Sequence, residues 1–203
     1  VALFPIANPL GAVPLFYSLT EGDSRAYRQK QARSTAINVI WILAAFFLLG
    51  KFILNFFGIS LGVLQIAGGL IVGHTAWEMV TAKQRLTEAE HQEASDMEDI
   101  SFTPMAMPIV SGPGAIGVII SVADRTNHWT NVVGALVGVG LFGALLYGLL
   151  LIGEPLVRRL GKNGIGTLNR VLGFFVLAIG VQLIVHGVSA ALKEILPGLS
   201  DLR

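Results

Sequence analysis

Pro5-Ile6-Ala7-Asn8-Pro9-Leu10, with Pro14 five residues after Pro9, is answered later in the chain by Pro104-Met105-Ala106-Met107-Pro108-Ile109, with Pro113 five residues after Pro108. Each copy sets three prolines inside a long apolar stretch. Every proline removes one backbone donor and clashes with the helical turn before it. Two helices are therefore predicted to break, in equivalent places. In a chain that resides in lipid, duplicated broken helices point to a substrate site between the two halves of a transporter.

The composition puts the chain in lipid. Of 203 residues, 53% are hydrophobic and 13% charged, roughly half the charged share of an average soluble protein. Charge is gathered into short clusters that leave apolar runs at 37–57, 60–80, 102–123, 129–153 and 171–192, each near the ~20 residues that cross a bilayer as a helix. Residues 1–20 form a sixth run. It starts inside an apolar segment at Val1, and the expectation is a first span with upstream residues missing. No positive stretch or small-residue cleavage site is visible there, which argues against a cleaved signal peptide. The expected fold is an all-α membrane protein of six transmembrane helices.

A net charge of +1 and the lack of a basic stripe with interleaved aromatics exclude nucleic acid as a partner. With no cysteine, disulfides, thiolate chemistry and Cys-based metal sites are excluded. Segments 21–33 (Arg25, Arg28, Lys30, Arg33), 81–101 (Lys83, Arg85) and 154–170 (Arg158, Arg159, Lys162, Arg170) hold ten of the 14 basic residues, leaving Lys51, Arg125, Lys193 and Arg203 for the other side. Cytoplasmic loops carry the excess of Lys and Arg, so these three segments are read as cytoplasmic and both termini as outside.

The duplication extends beyond the prolines. An offset of 99 pairs Pro5, Ala7, Pro9 and Pro14 with Pro104, Ala106, Pro108 and Pro113, and an offset near 105 aligns Gln65-Ile66-Ala67-Gly68 with Arg170-Val171-Leu172-Gly173. Each half is three helices long. An odd number of crossings inverts the second half, which predicts two inverted three-helix repeats, residues 1–80 and 102–203, with broken helices 1 and 4. Residues 81–101 form a polar linker between them. Its start is compatible with a continuation of the third span over Lys83–Ala94, and its acidic end reads as a mobile, solvated segment.

At each break a new half-helix should begin. Asn8 before Pro9, and Gly112 before Pro113, have the form of an N-cap followed by proline at the first helical position. Free N–H groups are expected at Leu10, Gly11 and Ala12 in the first copy and at Gly114, Ala115 and Ile116 in the second. Helix N-termini carry partial positive charge and suit a carboxylate, while carbonyls freed by Pro9, Pro14, Pro108 and Pro113 suit an ammonium group or a cation. An anion site beside a cation site describes an amino acid zwitterion, and also other small dipolar solutes. The alternative is that the prolines merely kink two spans.

Other polar residues within spans are Asn38, Gln65, His74, Thr75, Ser121, Gln182 and His186, and such groups usually face the bundle interior. Gln65, opening the span before Gly68-Gly69, joins the candidate site. His74 and Glu78 share a helical face and would serve as a proton relay or half a metal site, or as a plain interfacial pair. The 24 glycines include Gly69-x-x-x-Gly73 and Gly134-x-x-x-Gly138, ridges that let membrane helices approach closely. Gly68, Gly69 and Gly173 sit at related positions in the two halves.

Asn8-Pro9-Leu10-Gly11, Gly58-Ile59-Ser60, the run Ile66-Ala67-Gly68-Gly69-Leu70-Ile71-Val72, Pro104-Met105-Ala106-Met107-Pro108, Ser111-Gly112-Pro113-Gly114-Ala115-Ile116 and Arg170-Val171-Leu172-Gly173 together resemble the MarC family of integral membrane proteins. The likeness covers nearly the whole chain. The family is similar to transporters of small neutral amino acids such as glycine and alanine, and is grouped loosely with amino acid exporters. Where relatives are expected to carry alanine or another small residue, this chain has Ser111.

The resulting expectation is a secondary transporter of the bacterial or archaeal cytoplasmic (inner) membrane, moving small neutral amino acids by alternating access. Its substrate site would comprise Asn8, Pro9, Leu10, Gly11, Ala12, Pro14, Gln65, Gly68, Pro108, Ser111, Gly112, Pro113, Gly114 and Ala115. Partners would be the amino acid, the lipid bilayer and a coupling ion, sodium or a proton, with a homo-oligomer compatible with the sequence but not specified by it. An enzyme would need a nucleophile, metal set or paired acids at mid-membrane, and only His74, Glu78, His186 and interfacial Asp124 offer themselves. No catalytic residue, metal or cofactor is therefore expected. The rival functions are export of another metabolite and a non-transporting structural or regulatory role.

Overall fold

The computed structural model describes residues 3–81, 86–124, 126 and 128–195, and every regular element among them is helical. In order these are α1 (Leu3–Ala7), α2 (Pro9–Leu19), α3 (Arg25–Phe57), α4 (Leu61–Val80), α5 (Glu88–Ser95), a π-helical segment (Ser101–Val110), α6 (Pro113–Asp124) and α7 (Trp129–Ile195). Four stretches are long and apolar enough to cross a membrane: Arg25–Phe57, Leu61–Val80, Trp129–Pro155 and Gly164–Lys193. The π segment and α6, bent by 68° at their junction, make a fifth if taken as one span. Leu3–Leu19 is apolar but shorter.

Local chemistry sets these boundaries. Ser24 accepts a hydrogen bond from the Tyr27 N–H at 3.2 Å and caps α3. With Arg, Ala, Gln and Lys behind it, all good helix formers, the stretch 25–33 is the first turns of α3 and not the loop that its charge predicts. At 33 residues α3 is about 50 Å long, well beyond the ~30 Å hydrocarbon core. Gly58, with φ 64°, ends it in a left-handed turn in which the Ile59 N–H reaches the Leu54 carbonyl. Ser60 then caps α4. Gly161, at φ 62° and ψ 177°, interrupts α7 and separates its two apolar arms.

The second arm of α7 packs antiparallel on α4 through glycines spaced seven apart. A Cβ on Gly62 would meet the Gly187 carbonyl at 3.0 Å, one on Gly69 the Gly180 carbonyl at 2.7 Å, and one on Gly173 the Ala76 carbonyl at 3.1 Å. Backbone lies on backbone along the whole crossing. Gly134 and Gly138, expected to form a packing ridge, have nothing within 4 Å of the position a Cβ would take. Their face of α7 is open.

Two further contacts mirror one another. On α3, Gly50 lies under Ile120 of α6, with 2.8 Å between a notional Cβ and Ile120 Cγ1; on α7, Gly153 lies under Tyr17 of α2, 2.8 Å from Cε2. Gly153 follows Gly50 by 103 residues, and Ile120 follows Tyr17 by the same 103.

The acidic end of the linker, expected to be mobile, forms a helix and packs on α3. Thr81 ends α4, so the third span does not run on; residues 82–85, which include Lys83 and Arg85, lie outside the described residues, as do Arg125 and Arg203. Thr87 and Glu90 form a reciprocal capping box that starts α5. The acidic end is held against α3: the Glu98 carbonyl accepts from the Tyr27 hydroxyl at 2.9 Å, and Ile100 is buried. Ser18 pairs with His91 at 2.8 Å and Arg28 with Glu154 at 3.8 Å. These contacts gather the 20–28, 88–98 and 154 regions at one end of the molecule.

Candidate functional site

The first break centres on Asn8. Its backbone is left-handed, φ 43° and ψ 62°, a conformation open to Asn because a short polar side chain can bond locally. Its Oδ1 accepts from the Gly11 N–H at 2.9 Å, and its carbonyl accepts from the Ala12 N–H at 3.2 Å. Asn8 is thus the predicted N-cap. Two of the three N–H groups expected to be free, those of Gly11 and Ala12, are instead engaged, because the cap satisfies them from within. Pro9 and Ala12 are buried, Leu10, Gly11 and Pro14 half-buried.

At the second break the chain solves the same problem differently. Pro104 cannot donate to the Ile100 carbonyl, and the Met105 N–H takes that carbonyl instead at 3.2 Å, an i→i+5 bond. Ser111 N–H reaches the Ala106 carbonyl at 2.8 Å in the same way. Thr103 and Met107 leave helical geometry altogether. The Ile100 carbonyl, freed by Pro104, is therefore taken up by the wider turn. The Pro108 carbonyl stands 2.7 Å from where a Cβ on Gly112 would sit, so glycine alone fits there. Pro108 and Pro113 face outward, whereas Ser111, Gly114 and Ala115 are buried.

The two breaks approach one another. A Cβ on Gly114 would lie 3.5 Å from Ile6 Cγ2, two residues before Asn8, and 2.8 Å from Val72 Cγ2 of α4. Gly68 of α4 crosses Gly117 of α6 backbone to backbone, 3.8 Å from a notional Cβ to the Gly117 Cα. Its direct role is to bring α4 against the helix that leaves the second break. Gln65, one turn earlier, is 3% exposed.

Several buried polar atoms in this region have no hydrogen-bond partner. Ser111 is fully buried and its Oγ is unpaired. Asn169 Oδ1, from the second arm of α7, is also buried and unpaired, and lies 3.1 Å from the position of a Gly11 Cβ, beside the Asn8 carboxamide. Asn8 Nδ2 has only Met79 Sδ, at 3.5 Å, a weak acceptor. Asn169 was not among the residues expected from the sequence. A lone carboxamide at a helix start carries no local signal, and only the packing of α7 on α2 brings it to the break.

A second buried polar stripe runs along α3. Gln31, Thr35 and Asn38 face the start of the π segment, where Asn38 Nδ2 donates to Ser101 Oγ at 3.3 Å while Gln31 Oε1 and Thr35 Oγ1 stay unpaired. Hydrogen bonds from Ser101 hold the Asp99 carboxyl below its ordinary value, with the charge of Lys30 adding to the effect.

His74 and Glu78 are 3.9 Å apart, with side chains 72% and 36% exposed. They lie on the outer face of α4, away from the breaks. Gln182 and His186, 2.9 Å apart, are likewise exposed, contrary to the expectation that such groups face inward. Among the described residues no cluster of three or more His, Cys, Asp or Glu is placed to hold a metal ion.

The sequence description of the MarC family integral membrane protein matches residues 1–192. The chain belongs to the MarC family. The membrane protein YvbG of Bacillus subtilis is 32% identical over 205 residues, covering 99% of this chain and 95% of its own. The membrane protein YhcE of Escherichia coli is 34% identical over 202 residues, 98% of this chain and 92% of its own. The inner membrane protein MarC of Citrobacter koseri is 34% identical over 206 residues, 95% and 93%. No solved structure matches the chain.

Proposed function

We propose that this MarC family member is a secondary transporter of small neutral amino acids such as glycine or alanine, and that the cargo binds where the two helix breaks meet. The observation that carries this reading is the convergence of unpaired buried polar atoms on those breaks: Asn169 Oδ1 beside Asn8 and Gly11, and Ser111 Oγ two residues before the start of α6. An unpaired buried acceptor or hydroxyl costs about 1–3 kcal/mol, which a dipolar ligand offsets when it arrives. An ammonium group suits the unpaired acceptor Asn169 Oδ1; a carboxylate suits Ser111 with the N-terminal N–H groups of α6.

The chain is read as two inverted repeats, 1–80 and 102–203, joined by the 81–101 linker. Supporting this are the recurring order of broken helix followed by two long helices, and the mirrored pairs Gly50 with Ile120 and Gly153 with Tyr17 at a common offset of 103. The glycine-lined crossing of α4 and α7 is then the surface on which one half rocks against the other. The cluster Arg25, Arg28, Lys30 and Arg33 at one end of α3 supports reading that end as cytoplasmic by the positive-inside rule, with the termini read as outside. The name of the Citrobacter relative supports an inner membrane location.

A non-transporting role is favoured by one observation, the close fit of Gly114 on Val72. Counterflow of labelled glycine and alanine in proteoliposomes separates the readings. Saturable counterflow is expected, with Ser111→Ala raising KM several-fold while the protein folds normally. An absence of counterflow for any small neutral amino acid removes the proposal.

A further inference from the structure

Two adjoining grooves follow the outer face between α3 and α7. The first, about 470 Å3, is bordered by Gln29, Lys30, Arg33, Ser34 and Tyr147. The second, about 410 Å3, shares Arg33, Ile37 and Tyr147 with it and continues over Ile40, Gly140 and Ala144. Polar and basic groups thus surround one end, and apolar groups the other. Gly140 has nothing within 4 Å of the place a Cβ would occupy, so the floor is open there, whereas Ile40 closes on Gly143 one turn further on.

The height of the groove in the membrane follows from helix lengths. The apolar run 37–57 of α3 has 21 residues, about 31 Å at 1.5 Å per residue, which matches the hydrocarbon core. Lys30 and Arg33 then stand one to two turns beyond it, among lipid headgroups. Tyr147 lies 18 residues from the exposed Trp129 on the same helix, about 27 Å, the separation expected of residues in the two aromatic belts. Of the described ion pairs, Arg28 with Glu154 and His74 with Glu78, neither involves Arg33. Lys30 is shared with Asp99, so Arg33 supplies the uncompensated charge at the groove mouth.

We propose that this groove is a binding site for an anionic diacyl phospholipid. The phosphate sits between Arg33 and Lys30 with the Tyr147 hydroxyl as a further donor, and one acyl chain lies along Ile37, Ile40 and Gly140. A basic mouth that opens directly onto an apolar trough at headgroup height fits a lipid; a free phosphate has no use for the trough. The proposal does not depend on transport.

The test uses the delipidated full chain in detergent and native mass spectrometry, with phosphatidylglycerol and phosphatidylcholine of identical acyl chains as probes. Phosphatidylglycerol should be retained at least tenfold more strongly, since each cation near an anionic surface contributes roughly fivefold. Lys30→Gln with Arg33→Gln should abolish that preference, weakening phosphatidylglycerol more than phosphatidylcholine. Gly140→Phe, which fills the trough, should weaken both lipids; Ala144→Trp repeats the test should the first variant not fold. Three results would overturn the proposal. They are equal retention of the two lipids by the wild type, a preference that survives the double substitution, and loss of bound lipid as a dimer forms with rising protein concentration, which would assign the groove to a second copy.

Discussion

Replacing Asn8 by glycine and by alanine separates two contributions to the first helix break. Both variants lose the Oδ1 that accepts from the Gly11 N–H at 2.9 Å. Asn8 is 2% exposed, so water cannot take over, and the cost falls at about 1–2 kcal/mol. Only the alanine variant must also hold a Cβ at φ 43°, a left-handed conformation that adds about 1–2 kcal/mol. Glycine adopts it freely. The alanine variant should therefore be destabilised by about 2–4 kcal/mol and the glycine variant by about half that. At roughly 2–4 °C per kcal/mol for a chain of this size, thermal unfolding in detergent should order wild type above Asn8→Gly and Asn8→Gly above Asn8→Ala, with several degrees between steps. An alanine variant melting with or above the glycine variant would show that the cap and backbone geometry described here do not hold the break.

Other consequences follow from single contacts. Gly69→Ala drives a Cβ to 2.7 Å from the Gly180 carbonyl, a backbone atom that cannot step aside, and should cost about 1–3 kcal/mol; Gly134→Ala meets nothing and should be neutral or stabilising by up to about 1 kcal/mol through helix propensity, both read by melting temperature. Pro155 leaves the Leu151 carbonyl without its helical donor, and the Tyr17 hydroxyl reaches that carbonyl at 3.2 Å and the Leu150 carbonyl at 2.9 Å, so Tyr17→Phe should lose about 1 kcal/mol. Because the folded-state value of Asp99 lies below its ordinary 3.8, its contribution to stability is present above that value and disappears as pH falls through the lower, folded one. The difference in melting temperature between wild type and Asp99→Asn should accordingly hold from about pH 7 to about pH 5 and shrink below about pH 4; a constant difference across this range would contradict the Ser101 hydrogen bonds as its source.

The breaks were legible because proline acts locally. A missing N–H at Pro9 and a left-handed Asn8 before it are consequences of two adjacent residues, and the expected cap is the observed one. How the second break absorbs its prolines was not legible, since a change from i→i+4 to i→i+5 bonding depends on ten residues settling together. Charge misled in two places. The basic stretch 25–33 reads as a loop but forms helix once Ser24 caps it, and the acidic end of the linker reads as mobile but is held by Tyr27 of α3. Glycine spacing was half informative, since Gly69 and Gly73 both pack on Gly180 as their ridge predicts. The four-residue pair Gly134 and Gly138 lies on an open face, while the seven-residue series Gly62, Gly69 and Ala76 against Gly173, Gly180 and Gly187 makes the long crossing of α4 and α7. Asn169 could emerge only from tertiary structure, because its partners at Asn8 and Gly11 are some 160 residues away.

The chain has no cysteine, which allows the central claim to be tested at one atom. Ser111→Cys changes a buried, unpaired hydroxyl at the second break for a thiol of nearly the same shape, and its reaction with a small membrane-permeant thiol reagent can be timed in proteoliposomes. Glycine or alanine at millimolar concentration should slow that reaction several-fold, and a large amino acid such as tryptophan should not. A labelling rate indifferent to every small neutral amino acid, in a variant that folds as the wild type does, would contradict a cargo site at the paired breaks.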